Sequence, residues 1–402
     1  MEEKSSFSLG NSRLMPQEEM LEVGKKKASM SIGIPRESNR HESRVPVTPE
    51  AVELLVNNGH QVLIEENAGK EASYLNTDYS ECGGTISKRE EVFRADVILK
   101  VAPLTTEESE LLNGNQVVIS ALHLPGQKES YIRKLIAKRM TAIAYEDIKD
   151  KYNSYPVVRS MSEIAGIASV QIAAEHLSNV HDGKGVLLGG ITGITPAEVI
   201  VLGAGTAGEY ATRAALGLGA MVKVFDHSVH RLRKLQNYIG ERISTSVFHP
   251  RVLQKALRSA DVLIGAVHQV DKDSRYFITE EMVMGMKKGS VIVDISIDQG
   301  GCVETSECRT HKDPVYTRHG VIHYCVPNIP SRVARTASIA LSNVFTPILL
   351  EIGEAGGIKQ ILKEDPGLRR GVYLFNGILT SQHIGKMFGM QSKDLDLLLA
   401  AF

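Results

Sequence analysis

The most informative part of the sequence is VIVLGAGTAGEYATRAALGLGAMVKVFD, residues 199–226. An apolar strand pattern leads into a glycine turn, a helix pattern follows, and a second strand pattern ends at Asp226. Gly203 permits the tight turn, Gly205 lets the backbone approach a pyrophosphate, and Gly208 lets helix and strand pack closely. The N–H groups and the dipole at the helix start favour phosphate oxygens. The stretch therefore predicts a Rossmann-type unit that binds a dinucleotide.

Asp226 indicates which dinucleotide binds. Its carboxylate can accept hydrogen bonds from both ribose hydroxyls and would repel a 2′-phosphate, so we expect NAD rather than NADP. Arg231, a little further on, either contacts the adenosine end or is a solvated surface group, and its charge would tolerate a 2′-phosphate. The predicted cofactor contacts also include Thr206 and Ala207 of the turn itself.

Charge and cysteine content exclude several classes of function. Lys plus Arg total 46 and Asp plus Glu total 47, which leaves a net charge of -1. This balance gives no broad attraction to nucleic acid or to an anionic membrane surface. The four cysteines form no C-x-x-C pair and no zinc-type spacing, so we expect reduced thiols, no metal site and a cytoplasmic protein.

The chain shows no targeting or membrane pattern. No apolar run approaches the length of a membrane span, and the N-terminus lacks the apolar centre of a secretory signal. Residues 1–29 are expected to form an extension, with a short helix over 16–23 followed by a lysine cluster at 25–27. Nothing in its composition indicates what this extension does.

From residue 31 onward, short apolar runs alternate with helical patterns. Residues 31–34 predict a strand. Residues 48–59 predict a helix that begins with Thr48 and Pro49 and stops before Gly59. Strands separated by helices give βαβ units and mostly parallel sheets, whose buried strands are almost continuously apolar. The sequence therefore predicts an α/β fold.

Two series of such strands are predicted, joined by a long helix rich in small residues at 161–177. The last stretch, from about residue 336, is helical again. We predict two doubly wound domains, with a Rossmann NAD-binding domain inserted in a discontinuous substrate domain. The predicted parts are the extension 1–29, the first part of the substrate domain 30–156, the Rossmann domain 157–334, and C-terminal helices 335–402 that pack on the substrate domain.

Five motifs in order resemble the family of alanine dehydrogenase and the NAD-binding subunit of nicotinamide nucleotide transhydrogenase. The resemblance covers roughly residues 31–385 and leaves the N-terminal extension outside. The motifs are the glycine turn, GIPRESNRHESRVPVTP (33–49), VRSMSEIAG (158–166), VIVDISIDQGG (291–301) and HYCVPNIP (323–330).

The resemblance implies roles for individual residues. Arg44 matches the arginine that holds the substrate carboxylate, a task that suits a planar guanidinium with two parallel donors. His123 matches the histidine that moves protons, and imidazole titrates near neutral pH. Asp298 matches the aspartate beside the nicotinamide. By itself, a histidine that ends an apolar run such as QVVISALHL (116–124) is more often a packed core residue.

Three further residues are implicated by the same resemblance. Ser162 matches a cofactor-contacting serine, and Asn328 lies in the loop beside the nicotinamide. Glu146 matches an acid near the substrate pocket, and an ordinary salt bridge at a strand end explains it equally well.

The sequence departs from the family pattern at one position. The family carries two lysines separated by one residue, and the second grips the substrate carboxylate; here Lys100 is present but Ala102 stands at the second position. The transhydrogenase relatives also lack that second lysine. Residues i and i+2 of a strand share one face about 6–7 Å apart, so we expect Lys100 to be able to reach the carboxylate instead.

The resemblance implies reversible, NAD-dependent oxidation of L-alanine to pyruvate and ammonium. Two alternatives stay open: a dehydrogenase for another small amino acid, permitted by Ala102, and a transhydrogenase-like NAD(H)-binding subunit without amino-acid chemistry. The expected partners are small-molecule substrates, with neither nucleic acid nor membrane. The family implies a homo-oligomer, usually a hexamer.

Overall fold

The computed structural model describes residues 28–39, 41–267 and 277–400. The helix predicted over 16–23 lies outside the described residues.

Strands and helices alternate along most of the described chain. The strands are β1 Ser31–Ile34, β2 Gln61–Glu65, β3 Thr85–Ser87, β4 Val97–Leu99, β5 Val117–Ser120, β6 Thr141–Ala144, β7 Glu198–Leu202, β8 Met221–Phe225, β9 Ser244–Ser246, β10 Val262–Gly265, β11 Val291–Asp294, β12 Val315–Arg318, β13 Val321–Tyr324, β14 Val372–Phe375 and β15 Ile378–Leu379. The helices are α1 Pro49–Asn57, α2 Asn76–Glu81, α3 Arg89–Val92, α4 Thr106–Leu111, α5 Glu129–Ala137, α6 Pro156–Leu177, α7 Thr206–Gly217, α8 Val229–Ile239, α9 Pro250–Ser259, α10 Glu280–Met284, α11 Ala334–Glu354, α12 Ile358–Glu364, α13 Pro366–Gly371, α14 Gln382–Phe388 and α15 Leu395–Ala400.

The first sheet has, among the described residues, the strand order β15-β14-β6-β5-β4-β1-β2-β3. Strands β1 to β6 pair in parallel, and β14 pairs antiparallel with β6. The chain leaves β1 toward β2 and β3 and then returns to place β4 on the other side of β1. That reversal is the topological switch point at which open α/β sheets bind ligands.

The second sheet has the order β12-β13-β11-β10-β7-β8-β9 in the part of the chain that the structure describes. Strand β7 lies between β8 and β10, so the glycine turn after β7 lies at this sheet's switch point. Helix α6 joins the two sheets and packs against α7, which begins in the glycine turn. The predicted α/β class with two mostly parallel, doubly wound sheets is confirmed.

The C-terminal segment contributes more than the predicted helices. Helix α11 buries Leu341, Phe345 and Leu349 in the core of the first sheet together with Ile32 of β1. Strands β14 and β15 then extend that sheet, and the sequence pattern predicts neither of them. The exact domain boundaries stay a prediction.

Segment Ile329–Glu354 is the one described helical segment long and apolar enough to cross a membrane by length and composition. The core helix of a soluble protein passes the same test. Helix α11 packs apolar residues of this segment into the core of the first sheet.

Replacing Gly166 by alanine tests the contact between α6 and α7. A Cβ at this position would lie 2.3 Å from the Ala207 carbonyl oxygen and 2.9 Å from the Ala211 backbone nitrogen. Because backbone atoms cannot move aside alone, we expect Gly166→Ala to lower the free energy of unfolding by about 1–3 kcal/mol, measured by denaturant titration.

Gly217→Ala is the matched control, since Gly217 is exposed in α7 and a Cβ there meets no described atom within 4 Å. We expect this change to be neutral or slightly stabilising, by roughly 0.5–1 kcal/mol. Equal stability of the two variants would contradict close packing at Gly166.

Candidate active site

The first sheet places several candidate groups where its parallel strands end. Arg44 lies in the loop after β1, Lys100 follows β4, His123 comes shortly after β5, and Glu146 follows β6. Because β1, β4, β5 and β6 are parallel neighbours, their carboxyl ends form one edge of the sheet. The structure thus gathers four residues from distant parts of the sequence.

The second sheet does the same for the predicted cofactor residues. Gly203 follows β7, Asp226 follows β8, Asp298 lies in the 3₁₀ helix Ile295–Gln299 after β11, and Asn328 lies after β13. Strands β13, β11, β10, β7 and β8 lie side by side in parallel, so the four residues share the carboxyl edge of the sheet.

The two edges contact each other. Asn328 Nδ2 donates a hydrogen bond of 2.8 Å to Glu42 Oε2, and the Ser43 backbone N–H donates one of 2.8 Å to Ser331 Oγ. Glu42 and Ser43 belong to the loop after β1, whereas Asn328 and Ser331 follow β13. The carboxyl ends of both sheets therefore face one cleft.

Arg44 is buried in this cleft and is paired with Glu42. Arg44 Nε donates to Glu42 Oε1 at 2.7 Å and Nη2 donates to Oε2 at 2.5 Å, a two-pronged ion pair. Nη1 lies 3.1 Å from Met161 Sδ on α6. Burial alone would lower the pKa of Arg44, but the Glu42 charge and hydrogen bonds raise it. One edge of the guanidinium is thus occupied within the protein.

His123 is exposed, so the core-histidine interpretation is wrong for this residue. Its neighbours Ala121 and Leu122 are buried, but its own backbone has φ 45° and ψ 55° at the start of the 3₁₀ helix Leu124–Gly126. The left-handed region is uncommon for a residue with a Cβ and marks a constrained position. The turn lifts the imidazole out of the apolar run that precedes it.

Glu146 holds that turn. Its Oε1 accepts hydrogen bonds from the backbone N–H of Leu122 at 2.8 Å and of His123 at 3.1 Å. Its Oε2 is buried and has no hydrogen-bond partner among the described residues. The carboxylate therefore contacts the backbone of His123 and supports an otherwise strained conformation.

Lys100 is placed differently from the prediction. Its Nζ lies 2.9 Å from Glu37 Oε2 and 3.0 Å from Glu108 Oε1, and its side chain is 1% exposed. Burial alone would lower the pKa of Lys100, but the two carboxylates raise it, so the ammonium stays charged. With its donors directed at Glu37 and Glu108, the structure does not favour a contact between Lys100 and a substrate carboxylate.

The glycine turn has the geometry that a pyrophosphate needs. Gly203 has φ +98°, and a Cβ there would lie 2.3 Å from the Ala266 carbonyl oxygen. A Cβ on Gly208 would lie 1.8 Å from the Gly203 carbonyl oxygen, so only glycine fits. A Cβ on Gly205 would meet no described atom within 4 Å, which leaves that side open to a ligand at the start of α7.

Asp226 is buried beside the turn. Its Oδ2 accepts from the Ala204 backbone N–H at 2.8 Å and its Oδ1 from the Ser228 backbone N–H at 2.7 Å. The exposed His227 ring lies 3.5 Å from Oδ1, and the two backbone bonds fix the carboxylate at the end of β8. A fixed carboxylate at this position fits a ribose with free hydroxyls and disfavours a 2′-phosphate.

The remaining predicted residues lie around this framework. Ser162 is partly buried in α6, next to Met161 and thus near Arg44. Thr206 and Ala207 begin α7. Asp298 is exposed after β11, and Arg231 is exposed on α8. The exposure of Arg231 on α8 fits a solvated surface group.

A cavity of about 530 Å³ opens beside the loop after β1. Arg44 and Glu42 line one part of it, and Arg36, Asn67 and Arg89 line others. Its walls are mainly polar and charged. The residues that line the cavity belong to the first sheet and its connecting segments, and Met161, His123 and Asn328 are not among them.

Sequence reasoning misses two groups that shape the site. The motif around Arg44 does not indicate a role for Glu42. The one local signal is that Glu42 lies two residues before Arg44, which is close enough for an ion pair. Met161 lies within a family motif, but its residue type indicates no role. Its contact with Arg44 connects residues more than a hundred positions apart, and no local pattern reports such a contact.

Comparison with known proteins matches both halves of the chain. Residues 33–165 match the family model described as alanine dehydrogenase/PNT, N-terminal domain, and residues 169–382 match alanine dehydrogenase/PNT, C-terminal domain. An alanine dehydrogenase of Methanococcus maripaludis is 40% identical over 360 residues, which covers 89% of this chain and 96% of that protein.

Solved structures give the same result. A structure titled L-alanine dehydrogenase matches with a TM-score of 0.84 at 35% identity, covering 90% of this chain and 99% of the other. A transhydrogenase structure from Sinorhizobium meliloti matches with a TM-score of 0.75 at 23% identity, covering 88% and 99%. The second likeness shows the shared fold alone.

Lys100→Met tests whether this lysine supports the fold or binds a ligand. Removing the cation takes away the ion pair of the buried Glu37 and one of the two ion pairs of Glu108, which keeps Arg89. We therefore expect a loss of about 3–5 kcal/mol in the free energy of unfolding. The apparent affinity for a carboxylate substrate should change no more than in Lys255→Met, an exposed lysine of α9. A stable Lys100→Met variant with a large loss of substrate affinity would restore the predicted substrate contact.

Proposed function

The chain belongs to the alanine dehydrogenase/PNT family, and from that premise we propose that it catalyses the reversible NAD-dependent oxidative deamination of L-alanine to pyruvate and ammonium. The single observation that carries this proposal is the contact between Glu42 and Asn328. It brings the carboxylate-binding candidate Arg44 of one sheet against the loop at the nicotinamide side of the other.

Arg44 would bind the carboxylate of alanine or pyruvate. A guanidinium has two edges that match a carboxylate, and Glu42 occupies only the edge formed by Nε and Nη2. On the other edge, formed by Nη1 and Nη2, Nη1 donates to Met161 Sδ on α6 at 3.1 Å, and a substrate carboxylate would replace this weak acceptor. A substrate carboxylate bound there would be anchored in the cleft between the two sheets.

His123 would move the protons. Oxidation of alanine removes a hydride from Cα and a proton from nitrogen; water then adds to the imine, and ammonia leaves the carbinolamine. Each later step needs a group that takes or gives a proton near neutral pH, a task that suits imidazole. The exposed ring of His123, on the turn held by Glu146, is available for that exchange.

Asp298 and Ser162 would complete the site from the side of the second sheet. Asp298 follows β11. In the sheet, β11 lies between β10 and β13, and Asn328 follows β13. We assign Asp298 to the nicotinamide side of the reaction centre and Ser162, on α6, to the cofactor. A bound nicotinamide supplies the acceptor for the hydride.

A nicotinamide cofactor follows from the family, and we propose that it is NAD. The turn 203–208 fits a pyrophosphate because a side chain at Gly203 or Gly208 would collide with backbone oxygen atoms. The buried Asp226 carboxylate fits the ribose hydroxyls and would repel a 2′-phosphate. Arg231 on α8 is the one predicted residue that would tolerate that phosphate.

A different small amino acid is the second candidate substrate, and the position of Lys100 favours it. Since Lys100 is held by Glu37 and Glu108, and Ala102 stands at the position of the second family lysine, Arg44 is the remaining predicted cation for the carboxylate.

We further propose a cytoplasmic homo-oligomer whose ligands are small molecules. Large apolar side chains lie exposed on the segment between α6 and β7, with Val180 81%, Leu187 66%, and Ile191 and Ile194 62% exposed each. Residues 191 and 194 pair as a small antiparallel bridge, so this apolar segment is ordered. Such a cluster is typical of a surface that a further protein chain covers, and light scattering of the purified protein measures the assembly directly.

The purified protein should oxidise NADH when it is given pyruvate and ammonium together. The measurement is the loss of absorbance of the reduced cofactor with a panel of 2-oxo acids, and NADPH should support much slower turnover than NADH. Turnover with another 2-oxo acid but not with pyruvate would establish the second candidate. Tight NADH binding without turnover of any 2-oxo acid would instead indicate a nucleotide-binding subunit.

His123→Ala should lower kcat for pyruvate reduction by roughly 10²–10⁴-fold, since general acid–base groups contribute about that much. NADH affinity should change little, because the cofactor residues lie on the second sheet. His249→Ala, an exposed histidine before α9, is the control and should keep full activity. Full turnover by His123→Ala would remove the proposed proton-moving role.

A further inference from the structure

Glu42 contacts more of the cleft than an ion pair with Arg44 requires. Its Oε1 accepts from Arg44 Nε at 2.7 Å and from the Arg44 backbone N–H at 3.1 Å. Its Oε2 accepts from Arg44 Nη2 at 2.5 Å and from Asn328 Nδ2 at 2.8 Å, and Ser331 Oγ lies 3.5 Å from Oε1. The side chain is only 3% exposed. One buried carboxylate therefore contacts both sides of the cleft.

We propose that Glu42 is a positioning residue that fixes the substrate-facing edge of Arg44 and sets its distance from the loop at Asn328. By occupying the Nε–Nη2 edge, Glu42 leaves only the Nη1–Nη2 edge for a substrate carboxylate. By accepting a hydrogen bond from Asn328, the same carboxylate connects Arg44 to the second sheet. The inference rests on the proposed dehydrogenase function.

The electrostatics support an ionised Glu42. Burial alone would raise the pKa of Glu42, but the Arg44 charge and the hydrogen bonds from Arg44 and Asn328 lower it overall. Ionised, the carboxylate accepts all of its hydrogen bonds, which a protonated one could not. Asn328 is itself constrained, because its backbone has φ 60° and its carbonyl oxygen accepts from His311 Nε2 at 3.2 Å.

This arrangement has a kinetic consequence. Hydride transfer requires the substrate Cα to face the nicotinamide at a close, fixed distance, and small misplacements cost large factors in rate. The substrate carboxylate is anchored on the first sheet, and the nicotinamide-side loop belongs to the second. Because the Glu42 side chain contacts both the anchor and the loop, it should affect the hydride step as well as substrate binding.

The test is Glu42→Gln, which keeps the shape of the side chain but replaces one carboxylate oxygen with an amide N–H₂ group. This group cannot accept a hydrogen bond, so it would face a donor of Arg44 or of Asn328 without bonding to it. We expect KM for pyruvate to rise and kcat to fall, each by about ten- to a hundredfold. The deuterium isotope effect with NADH deuterated at the transferred hydrogen should increase, because a misaligned hydride step becomes rate-limiting. The Kd for NADH should stay within a factor of about two, because the glycine turn and Asp226, which would hold the pyrophosphate and the ribose, are unchanged.

Glu53→Gln, an exposed glutamate of α1, is the matched control and should leave every value unchanged. Glu42→Asp keeps the charge and should recover part of kcat, and it also serves if Glu42→Gln does not fold. Wild-type kcat, KM and isotope effect in both variants would overturn the proposal. A second result would also overturn it: a loss of activity in the variants that equals the loss of NADH-binding protein, because this would indicate a role in folding alone.

Failure of the proposed function would be visible separately, as a wild-type protein that turns over no 2-oxo acid. In that case calorimetric binding of pyruvate to the NADH-loaded protein decides the question without turnover. Weaker binding of about tenfold or more in Glu42→Gln than in Glu53→Gln supports the positioning role, and equal binding overturns it.

Discussion

A buried arginine cannot release its proton, and the cleft of this protein is organised by that constraint. Arg44 stays charged, so it needs a carboxylate at contact distance, and Glu42 supplies one from two residues away. The pair is then locked by Asn328 and by Met161, which come from the other sheet and from the connecting helix. A local ion pair thereby becomes the point at which the two halves of the chain meet.

The parallel sheets explain why chemically useful groups collect at this point. All carboxyl ends of a parallel sheet lie on one edge, and the chain reverses its strand order at β1 and again at β7. The loops at these reversals separate and leave openings, which in this protein hold Arg44 and the glycine turn. Tertiary hydrogen bonds then hold the reactive groups in strained or buried states, as Glu146 holds the left-handed backbone of His123.

Much of the fold was predictable because its signals are local. The strand 31–34, the helix that begins at Thr48 and Pro49, and the strand–turn–helix around Gly203 each lie where their patterns predicted. Strands β14 and β15 were missed because they are short, and their partner β6 lies more than two hundred residues earlier. For the site, the local pattern indicated Asp226 and the family resemblance indicated Arg44 and His123. The expectation that Lys100 reaches the substrate did not anticipate the two buried glutamates that hold its ammonium.

The amino-acid sequence by itself determined the α/β class, the glycine turn with its acid, and the residue types available for binding and proton transfer. These depend on periodicity and on the steric needs of single residues, which are encoded over a few neighbouring positions. The packing of distant segments sets which edge of Arg44 Glu42 occupies, buries Lys100 between carboxylates and leaves His123 exposed. Those outcomes depend on contacts between residues far apart in the chain. A buried charge without a partner is costly, so each buried charge pairs with the opposite charge that the tertiary packing places next to it.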